Sequence, residues 1–451
     1  MNNAQKICIY QIIFVTLQPI LKIVAMNEYR TRIADQLLED LLDAVGGVVV
    51  QGAKWCGKTT TSAHHAKSVL YMDDPDRKEQ NLRLAQTNVK RLLEGETPRL
   101  IDEWELAPEL WDAARFEVDH RSNHQGQFIF TGSSVPKEKN KDKMFHSGTG
   151  RFAWLLMRPM SLWESGDSSG DVSLGDLFAG HEPDGSSRID LDRLAYLTCR
   201  GGWPETLHMK PTSALKVANA YLEGVVNSDI TRVDDVQRDS EFMLRIIRSL
   251  ARHQGGQVPI STLRADLLAN GKSSMSEDTI ADYVRVLKKI FVEEDLPAWN
   301  PNLRSKAAIR TSDTRYFVDP SIATSALGMG PQDLINDMNT FGFLFETLAM
   351  RDLRVFAEAL DGKVYHYRDN NKLECDAVIH LRNGHYGLVE IKIGGAQWIE
   401  SGAANLMSLA KIIDTTRMHS PSFMMVLTGI GDYAYRRDDG VYVVPIGCLK
   451  P

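Results

Sequence analysis

The stretch 47-GVVVQGAKWCGKT-59 decides the fold of the first third of the chain. Val48 to Val50 form a short apolar run that a polar residue and a glycine end, as is typical of a buried strand. Gly52 to Thr59 then match the pattern G-x-x-x-x-G-K-S/T at every fixed position, and a helix is expected to follow. A strand, a glycine-rich loop and a helix in this order predict a phosphate-binding loop. A chance glycine turn is the alternative, but such turns rarely stand in this context.

The fixed residues of this loop suit a nucleoside triphosphate. Glycines let the backbone N–H groups curl around the β-phosphate, and the helix N-terminus adds a favourable dipole. Lys58 would neutralise the β- and γ-phosphates, while the Thr59 hydroxyl would be a ligand of Mg²⁺. We therefore expect ATP and Mg²⁺ as cofactors. The predicted nucleotide-binding residues are Gly52, Ala53, Lys54, Trp55, Cys56, Gly57, Lys58, Thr59, Thr60 and Thr131.

Three further short apolar runs follow the loop, in SVLYMDD, PRLIDEW and GQFIFTGSS, with helix-length segments between them. This alternation predicts a parallel sheet with crossover helices. Asp102 and Glu103 end the second run: Asp102 would hold the metal through water, and Glu103 would orient or deprotonate the attacking water. An acidic helix N-terminus after a strand is the alternative. Thr131 and Ser133 end the third run, where they could lie between the carboxylate and the γ-phosphate.

Arg151 stands in the segment HSGTGRF, where glycines would let it project from a loop beyond the sheet. An arginine that reaches the γ-phosphate of a neighbouring subunit stabilises transition-state charge, so hydrolysis would depend on assembly. We therefore predict that Arg151 is a catalytic residue and that the protein is a homo-oligomer. The alternative is an arginine that binds local carbonyl groups.

A second group of chemically useful residues lies near the end of the chain. CDAVIHL carries Asp376, and YGLVEIKIG carries Glu390 and Lys392, in the spacing D-x13-E-x-K. Residues i and i+2 of a strand share a face, so Glu390 and Lys392 should lie side by side next to Asp376. Two carboxylates can hold a divalent metal, and the lysine can activate the water that attacks a phosphodiester. The preceding helix adds Glu346. The alternative is a salt-bridge trio on exposed strands.

The motifs together support a family resemblance. The GKT loop, LIDEW, FTGS, HSG-GRF with MRPMSLWE, and GGWP resemble the AAA family of prokaryotic ATPases that carry an uncharacterised C-terminal domain, from about Met26 to the end. The resemblance implies an AAA+ module, Arg151 at the finger position, and a winged helix in the middle. The C-terminal pattern resembles the PD-(D/E)XK nuclease superfamily over about 80 residues, although Cys375 stands where its name has proline. A retained nuclease fold without cleavage is left open.

The predicted fold class is α/β, and its order along the chain is as follows. Residues 1–25 are an apolar extension outside the fold, 26–202 an AAA+ P-loop ATPase domain with a parallel sheet, 203–335 a helical or winged-helix domain, and 336–451 an α/β PD-(D/E)XK nuclease-like domain. A stretch rich in Gly, Ser and Asp, from Ser165 to Ser187, predicts an exposed insertion or a domain edge. The segment from Asn300 to Ser321 predicts a wing and a strand. Basic residues there that could contact phosphates are Arg304, Lys306, Arg310 and Arg315.

Composition limits the classes of function. With 43% hydrophobic and 25% charged residues among 451, the chain reads as an ordinary globular protein, and a net charge of −7 excludes a uniformly basic nucleic-acid coat. Its five cysteines form no CxxC pair, which favours a reducing, cytoplasmic location. Polar residues interrupt the apolar stretch from Ile7 to Ala25. We therefore interpret Met26 as the working start and expect no membrane association, with a membrane anchor as the alternative.

These observations converge on two functional hypotheses. The first is a cytoplasmic, Mg²⁺-dependent AAA+ ATPase that a winged helix couples to a metal-dependent nuclease-like domain acting on or binding nucleic acid. The second is a regulatory ATPase switch whose C-terminal domain is a nonenzymatic module that binds protein or DNA. Metal-dependent cleavage would discriminate between them.

Overall fold

A five-stranded parallel sheet with helices on both faces forms the first part of the protein. The computed structural model describes residues 29–132, 148–230, 233, 236–269, 275–304 and 309–451. The strands of this sheet are β1 (Gly47–Gln51), β2 (Ser68–Tyr71), β3 (Arg99–Asp102), β4 (Phe128–Gly132) and β5 (Phe152–Leu156). The helices between them are α1 (Ile33–Ala44), α2 (Lys58–His65), α3 (Lys78–Thr87) and α4 (Glu109–His120), with 3-10 turns at Val89–Leu93 and Trp104–Leu106.

The valines of β1 explain why this strand lies in the middle of the protein. Val49 packs with the aromatic core of one face, whereas Val48 and Val50 pack with the apolar side of α1 on the other. All three are at most 1% exposed. The strand order is β2-β3-β4-β1-β5, and every pair is parallel. The predicted parallel sheet is therefore confirmed, and the carboxyl ends of all five strands meet at one edge.

Residues 162–200 connect this sheet to the far end of the chain. Their elements are α5 (Leu162–Ser165), β6 (Val172–Ser173), α6 (Leu174–Phe178), β7 (Gly185–Ser186) and α7 (Leu191–Arg200). The stretch expected to be an exposed insertion instead pairs β6 with the last strand of the chain and β7 with a C-terminal strand. Leu174 and Leu177 are at most 1% exposed. The segment is therefore not a wholly exposed insertion, because these few apolar residues and two short strands anchor it; the other interpretation, a domain edge, stays a prediction.

The middle of the chain is mainly helical, as predicted. It contains a 3-10 turn at Pro204–His208, helix α8 (Pro211–Gly224) with a π-helical turn at Val225–Asp229, and helices α9 (Ser240–Arg252), α10 (Ile260–Ala269), α11 (Glu277–Lys289), α12 (Pro320–Leu327) and α13 (Pro331–Asn336). Three short antiparallel bridges join its extended pieces: Gly256 to Arg315, Glu293 to Phe317 and Leu296 to Thr314.

A mixed sheet and two helices form the C-terminal unit. They are α14 (Met338–Ala359), β8 (Gly362–Arg368), β9 (Glu374–Leu381), β10 (Tyr386–Lys392), α15 (Ala396–Ile412), β11 (Phe423–Thr428), β12 (Tyr433–Arg436), β13 (Tyr442–Pro445), a 3-10 turn Ile446–Cys448 and β14 (Leu449–Lys450). The sheet order is β7-β12-β13-β11-β10-β9-β8. Helix α14, strands β8 to β10 and helix α15 follow one another along the chain, as the resemblance to the PD-(D/E)XK superfamily implies. The last part has an additional strand, β12, whose mostly exposed residues gave no apolar signal.

The segment predicted to be a wing runs along the C-terminal unit. Ala298, Leu303 and Ile309 each form a bridge to that unit, and Trp299 packs against Tyr386. Because its apolar residues find partners there, the segment does not project as a free wing at these positions.

The basic residues of this segment that are predicted to contact phosphates have different surroundings. Arg315 is bound to Glu293 at 3.0 Å, so its charge is already paired. Arg304 and Arg310 are exposed, and Lys306 lies outside the described residues.

No helix in the described part of the chain is long and apolar enough to cross a membrane. The apolar stretch from Ile7 to Ala25, and Met26 after it, lie outside the described residues.

Candidate functional site

The phosphate loop needs its glycines. Gly52 has a φ of +149°, and a Cβ on it would lie 2.0 Å from the carbonyl oxygen of Met157. Gly57 has a φ of +102° and directly precedes α2. Both positions are therefore closed to residues with a side chain, the first by contact and the second by backbone strain. The loop ends where the N–H groups of α2 begin, the end of a helix that attracts anions.

The two lysines of the loop are held differently. Lys58, whose residue is 7% exposed, donates from Nζ to the carbonyl oxygens of Gly52 and Ala53, each at 2.9 Å. Its ammonium group therefore lies over the curled backbone. Lys54 forms an ion pair with Asp229, at the end of the π-helical turn. Nucleotide contacts from Lys54 would have to compete with that pair.

Asp102 of β3 joins β4 and the start of helix α2 at the carboxyl edge of the sheet. Its Oδ1 accepts a hydrogen bond of 2.8 Å from the Thr59 hydroxyl and another from the Thr131 hydroxyl. Strand β4 lies between β1 and the strand of Asp102, and Thr131 comes from β4. A threonine hydroxyl beside a strand-end carboxylate is a donor set that fits Mg²⁺. Ser133 lies outside the described residues.

Glu103 follows Asp102 in the left-handed region, with a φ of +53°. Burial, and then the charge of Asp102, raises the pKa of its carboxyl group, while Lys58 opposes that shift. A carboxylate with a raised pKa is a better proton acceptor for water than an ordinary one. The structure therefore brings Glu103 to the same edge as Lys58 and Asp102.

A cleft of about 830 Å³ opens beside the loop. Lys58, Thr59 and Glu103 line its polar side. Residues of the middle unit line the other side, with apolar groups from Pro204, Met209, Val217 and Ala220. Sequence analysis missed these four, because apolar residues on a helix such as α8 look like ordinary core. The pocket has the mixture of apolar wall and few polar groups that small ligands prefer.

Arg151 lies away from the loop of its own chain. It directly precedes β5, and its carbonyl accepts from the N–H of Gly47, at the start of β1. The loop follows the opposite end of β1, five residues further on, which corresponds to roughly 16 Å. The Arg151 side chain is 45% exposed and bound to Asp119 at 2.9 Å. The structure therefore does not bring Arg151 together with the other predicted residues of the nucleotide site.

The C-terminal cluster brings Asp376, Glu390 and Lys392 together. Lys392 Nζ lies 3.1 Å from Asp376 Oδ2 and 2.7 Å from Glu390 Oε2. Asp376 Oδ2 also accepts from the N–H of Ile391 at 2.7 Å. The three side chains meet because β9 and β10 are paired strands of one sheet. Glu390 is 1% exposed, and its Oε1 has no hydrogen-bond partner within the described residues.

Glu346 adds a third acidic group, from α14. Burial, and then the charge of Asp376, raises the pKa of Glu346 to about 8. The same two causes raise the pKa of Glu390 to about 8. Asp376 is therefore within electrostatic range of both. Glu346 also accepts a hydrogen bond from the hydroxyl of Tyr316, a residue that sequence analysis did not select and that carried no motif.

A metal ion fits this cluster only in part. Within the part of the chain that the structure describes, no three His, Cys, Asp or Glu side chains are grouped as ligands of one ion. The Lys392 ammonium group instead lies between the carboxylates of Asp376 and Glu390. The unpaired Oε1 of Glu390 is available to a cation, but such an ion would have to move Lys392.

Family models match three separate parts of the chain. Residues 46–165 match an AAA domain. Residues 191–333 and 341–449 match two domains of unknown function, DUF8612 and DUF4143. The part of the chain that contains the phosphate loop is therefore similar to an AAA domain, and most of the rest is similar to two domains to which their families assign no function.

Solved structures resemble about two thirds of the chain. The Walker-type ATPase PABY2304 of Pyrococcus abyssi is 14% identical, with a TM-score of 0.40, over 65% of this chain and 94% of that chain. The Aeropyrum pernix ORC1 protein in complex with DNA is 12% identical, with a TM-score of 0.23, over 69% of this chain and 94% of that chain. Among curated proteins, none matches this sequence. TM-scores at this level carry no information about function.

Proposed function

We propose that the protein is a Mg²⁺-dependent AAA+ ATPase that controls a C-terminal nuclease-like domain acting on nucleic acid. One observation carries the ATPase part: Thr59 of the loop and Thr131 of β4 both donate to Asp102 at the carboxyl edge of the sheet. The proposal is supported by this arrangement because the Thr59 hydroxyl, which would bind Mg²⁺, and the Thr131 hydroxyl, which would contact the γ-phosphate, each lie within hydrogen-bond distance of the Asp102 carboxylate.

The residues of the edge divide the work of phosphoryl transfer. Lys58 binds the β- and γ-phosphates, and the N–H groups of the loop and of α2 hold the β-phosphate. Thr59 and Asp102 would hold Mg²⁺, which would supply positive charge to the phosphate oxygens. Glu103 takes the proton of the attacking water, and Thr131 contacts the γ-phosphate. The adenine base of ATP packs against the apolar side of the cleft, which the middle unit provides.

Replacement of Lys58 tests the ATPase assignment. We expect Lys58→Ala to lower ATP turnover by at least about 100-fold, since it removes one charged donor from the developing negative charge. Lys78→Ala, an exposed lysine of α3, is the matched control and should hydrolyse ATP at the wild-type rate. Phosphate release measured with Mg²⁺ decides, and unchanged hydrolysis in Lys58→Ala would refute the assignment.

The nuclease-like part of the proposal rests on the C-terminal cluster. Asp376, Glu390 and Lys392 lie on paired strands with nitrogen-to-oxygen distances of 2.7 and 3.1 Å, and Glu346 faces them from α14. Lys392 and two carboxylates are groups that can position a metal and activate water against a phosphodiester. The order of α14, three strands and α15 agrees with the PD-(D/E)XK resemblance.

Cleavage assays test this part. Purified protein is incubated with DNA or RNA and with Mg²⁺ or Mn²⁺, in the presence and absence of ATP. Asp376→Asn and Lys392→Ala should remove cleavage and leave ATP turnover intact, whereas Lys363→Ala, an exposed lysine of β8, should cleave normally. Cleavage that survives both of the first two changes would argue against this site.

Two observations favour a second candidate, a regulatory ATPase with a nonenzymatic binding module. Lys392 forms ion pairs with both carboxylates in a closed arrangement, which resembles a structural ion-pair cluster as much as a reaction centre. Glu277 and Asp278 open α11 and are exposed, so this end of the helix would repel a phosphate backbone and suits a basic protein surface. Metal-independent binding of a partner without cleavage would support this candidate.

A further inference from the structure

The segment from Met157 to Glu164, MRPMSLWE, lies behind the phosphate loop and has no role in the chemistry described above. Arg32, buried at 5% exposure, ties it to the loop. Its Nη1 donates to the Cys56 carbonyl at 2.8 Å, and its Nη2 donates to the Arg158 carbonyl at 2.9 Å. Its Nε donates to Glu164 at 2.9 Å. One guanidinium group therefore holds the loop and this segment in a fixed relation.

Arg158 connects the AAA domain to the other two units of the protein. Its guanidinium group forms two bonds to Glu294 of the middle unit, at 2.7 and 2.8 Å, and lies 2.8 Å from Glu358 of α14. The Arg158 side chain is 6% exposed. Burial alone would raise the pKa of Glu294, but Arg158 and Arg354 lower it to about 2, so the pair is charged at neutral pH. All three units of the protein thus meet at Arg158.

A second set of contacts leads from Glu294 to the C-terminal cluster. The N–H of Glu294 donates to the carbonyl of Tyr316 at 2.9 Å. Arg354 donates to the Glu294 carbonyl at 3.0 Å and lies 5.6 Å from the centre of the Tyr316 ring. The Tyr316 hydroxyl donates to Glu346, whose pKa is raised by burial and then by the charge of Asp376. A series of buried and half-buried contacts therefore joins the Cys56 carbonyl to Glu346 of the C-terminal cluster.

We propose that Arg158 is a positioning residue that couples nucleotide binding at the phosphate loop to the geometry of the C-terminal cluster. The inference rests on the proposed function, because it needs ATP at the loop. Nucleotide binding moves the backbone of the loop, including the carbonyl of Cys56 that Arg32 holds. Buried, bonded charges tolerate little stretching, so Arg32 and Arg158 shift together and Glu294 and Tyr316 follow. Tyr316 then changes its hold on Glu346.

The test compares the response of the two ends in the full chain. Hydrogen exchange of backbone amides is measured with and without a nonhydrolysable ATP analogue and Mg²⁺. In the wild type, the analogue should slow exchange in the loop, and exchange across β9 and β10 should change by about 5-fold or more, the size of ordinary coupling between sites. Titration of the analogue by calorimetry gives its affinity in every variant.

Three variants separate coupling from stability. The double change Arg158→Met with Glu294→Met removes both charges together, which buried pairs often tolerate. Arg158→Lys keeps the charge but loses the two-bond geometry. Both should still bind the analogue within about threefold of the wild-type affinity, a difference below 1 kcal/mol, while the response in β9 and β10 disappears in the first and weakens in the second. Arg382→Met, which breaks an exposed ion pair with Asp361, should keep the full response.

Three outcomes would overturn the inference. A response of β9 and β10 that persists in the double variant shows that coupling does not pass through Arg158. A wild type in which the loop is protected but β9 and β10 do not respond shows that there is no coupling. If the analogue protects no loop amides in the wild type, the ATP site itself is refuted, and the inference falls with it.

Discussion

Two consecutive carboxylates, Glu293 and Glu294, are predicted to respond to pH in opposite ways. Glu293 is buried and Glu294 is half-buried, and the usual pKa for each is 4.5. Burial raises the pKa of Glu293 to about 7 despite Arg315, and its Oε2 has no hydrogen-bond partner among the described residues. For Glu294 burial acts in the same direction, but Arg158 and Arg354 lower the pKa to about 2.

The sign of each contribution follows from comparison with the unfolded chain. The lowered pKa of Glu294 gives stability that is fully present above pH 4.5 and is lost as the pH falls towards 2. The raised pKa of Glu293 gives stability that is present below pH 4.5 and is lost as the pH rises through 7. Each shift of about 2.5 units corresponds to about 3 kcal/mol.

Glu293→Gln and Glu294→Gln therefore should differ in their pH profiles. Glu294→Gln should cost about 3 kcal/mol at both pH 5 and pH 8, because its carboxylate is charged throughout that range in both states. As the pH rises from 5 to 8, the free energy of unfolding of Glu293→Gln should increase by about 2 to 3 kcal/mol relative to that of the wild type, because glutamine never carries the buried charge. Loss of the contact with Arg315 lowers the free energy of unfolding of this variant by about 1 to 3 kcal/mol, and this cost is the same at every pH.

Native-state hydrogen exchange measures these differences within the middle unit. The amides of Glu294 and Val318, which bond to Tyr316 and Val292, report the opening free energy of the bridge that holds both carboxylates. Rates are corrected for the intrinsic pH dependence of exchange. A Glu293→Gln effect that does not change with pH, or a Glu294→Gln variant as stable as the wild type at pH 7, would refute the reasoning.

Two further predictions concern the AAA domain. Arg151→Ala should lower ATP turnover about 1000-fold with unchanged ATP affinity. An equal mixture of Arg151→Ala and Lys58→Ala subunits should regain activity, because each subunit supplies the residue that the other lacks. A mixture that is as inactive as its components would contradict action between subunits. Gly52→Ala should weaken ATP binding at least about tenfold, since its Cβ would lie 2.0 Å from the Met157 carbonyl oxygen and such overpacking costs about 1–3 kcal/mol. Calorimetry with Mg²⁺ measures the affinity, and wild-type binding would contradict the expected clash.

Local patterns in the sequence determined the first sheet and the parts of the candidate sites that depend on short spacing. The phosphate loop could be predicted because valines, glycines and a helix follow each other within 20 residues. The parallel sheet could be predicted because each strand is a short apolar run. Glu390 and Lys392 share a face because they are two residues apart on a strand. The catalytic and binding roles of these residues remain predictions.

Only the tertiary structure decided which distant groups meet. In the sheet, β4 lies between the strand of Asp102 and the strand that precedes the loop. Arg151 lies directly before β5, the edge strand of the same sheet. The polar stretch after Ser165 joined the C-terminal sheet because a few leucines found partners there. Arg32, Arg158 and Tyr316 carry no spacing signal. Their contacts span from about 20 to more than 130 residues, and only packing brings such positions together.

The physical reason is the range over which each interaction acts. Backbone preferences and the alternation of apolar residues act over a few neighbours, so they can be recognised in a linear sequence. Ion pairs such as that of Arg158 with Glu294 depend on the burial that the assembled units create, and the sequence contains no local trace of it. The sequence determined which chemical groups the protein has, and the packing of its units decided which of them act together.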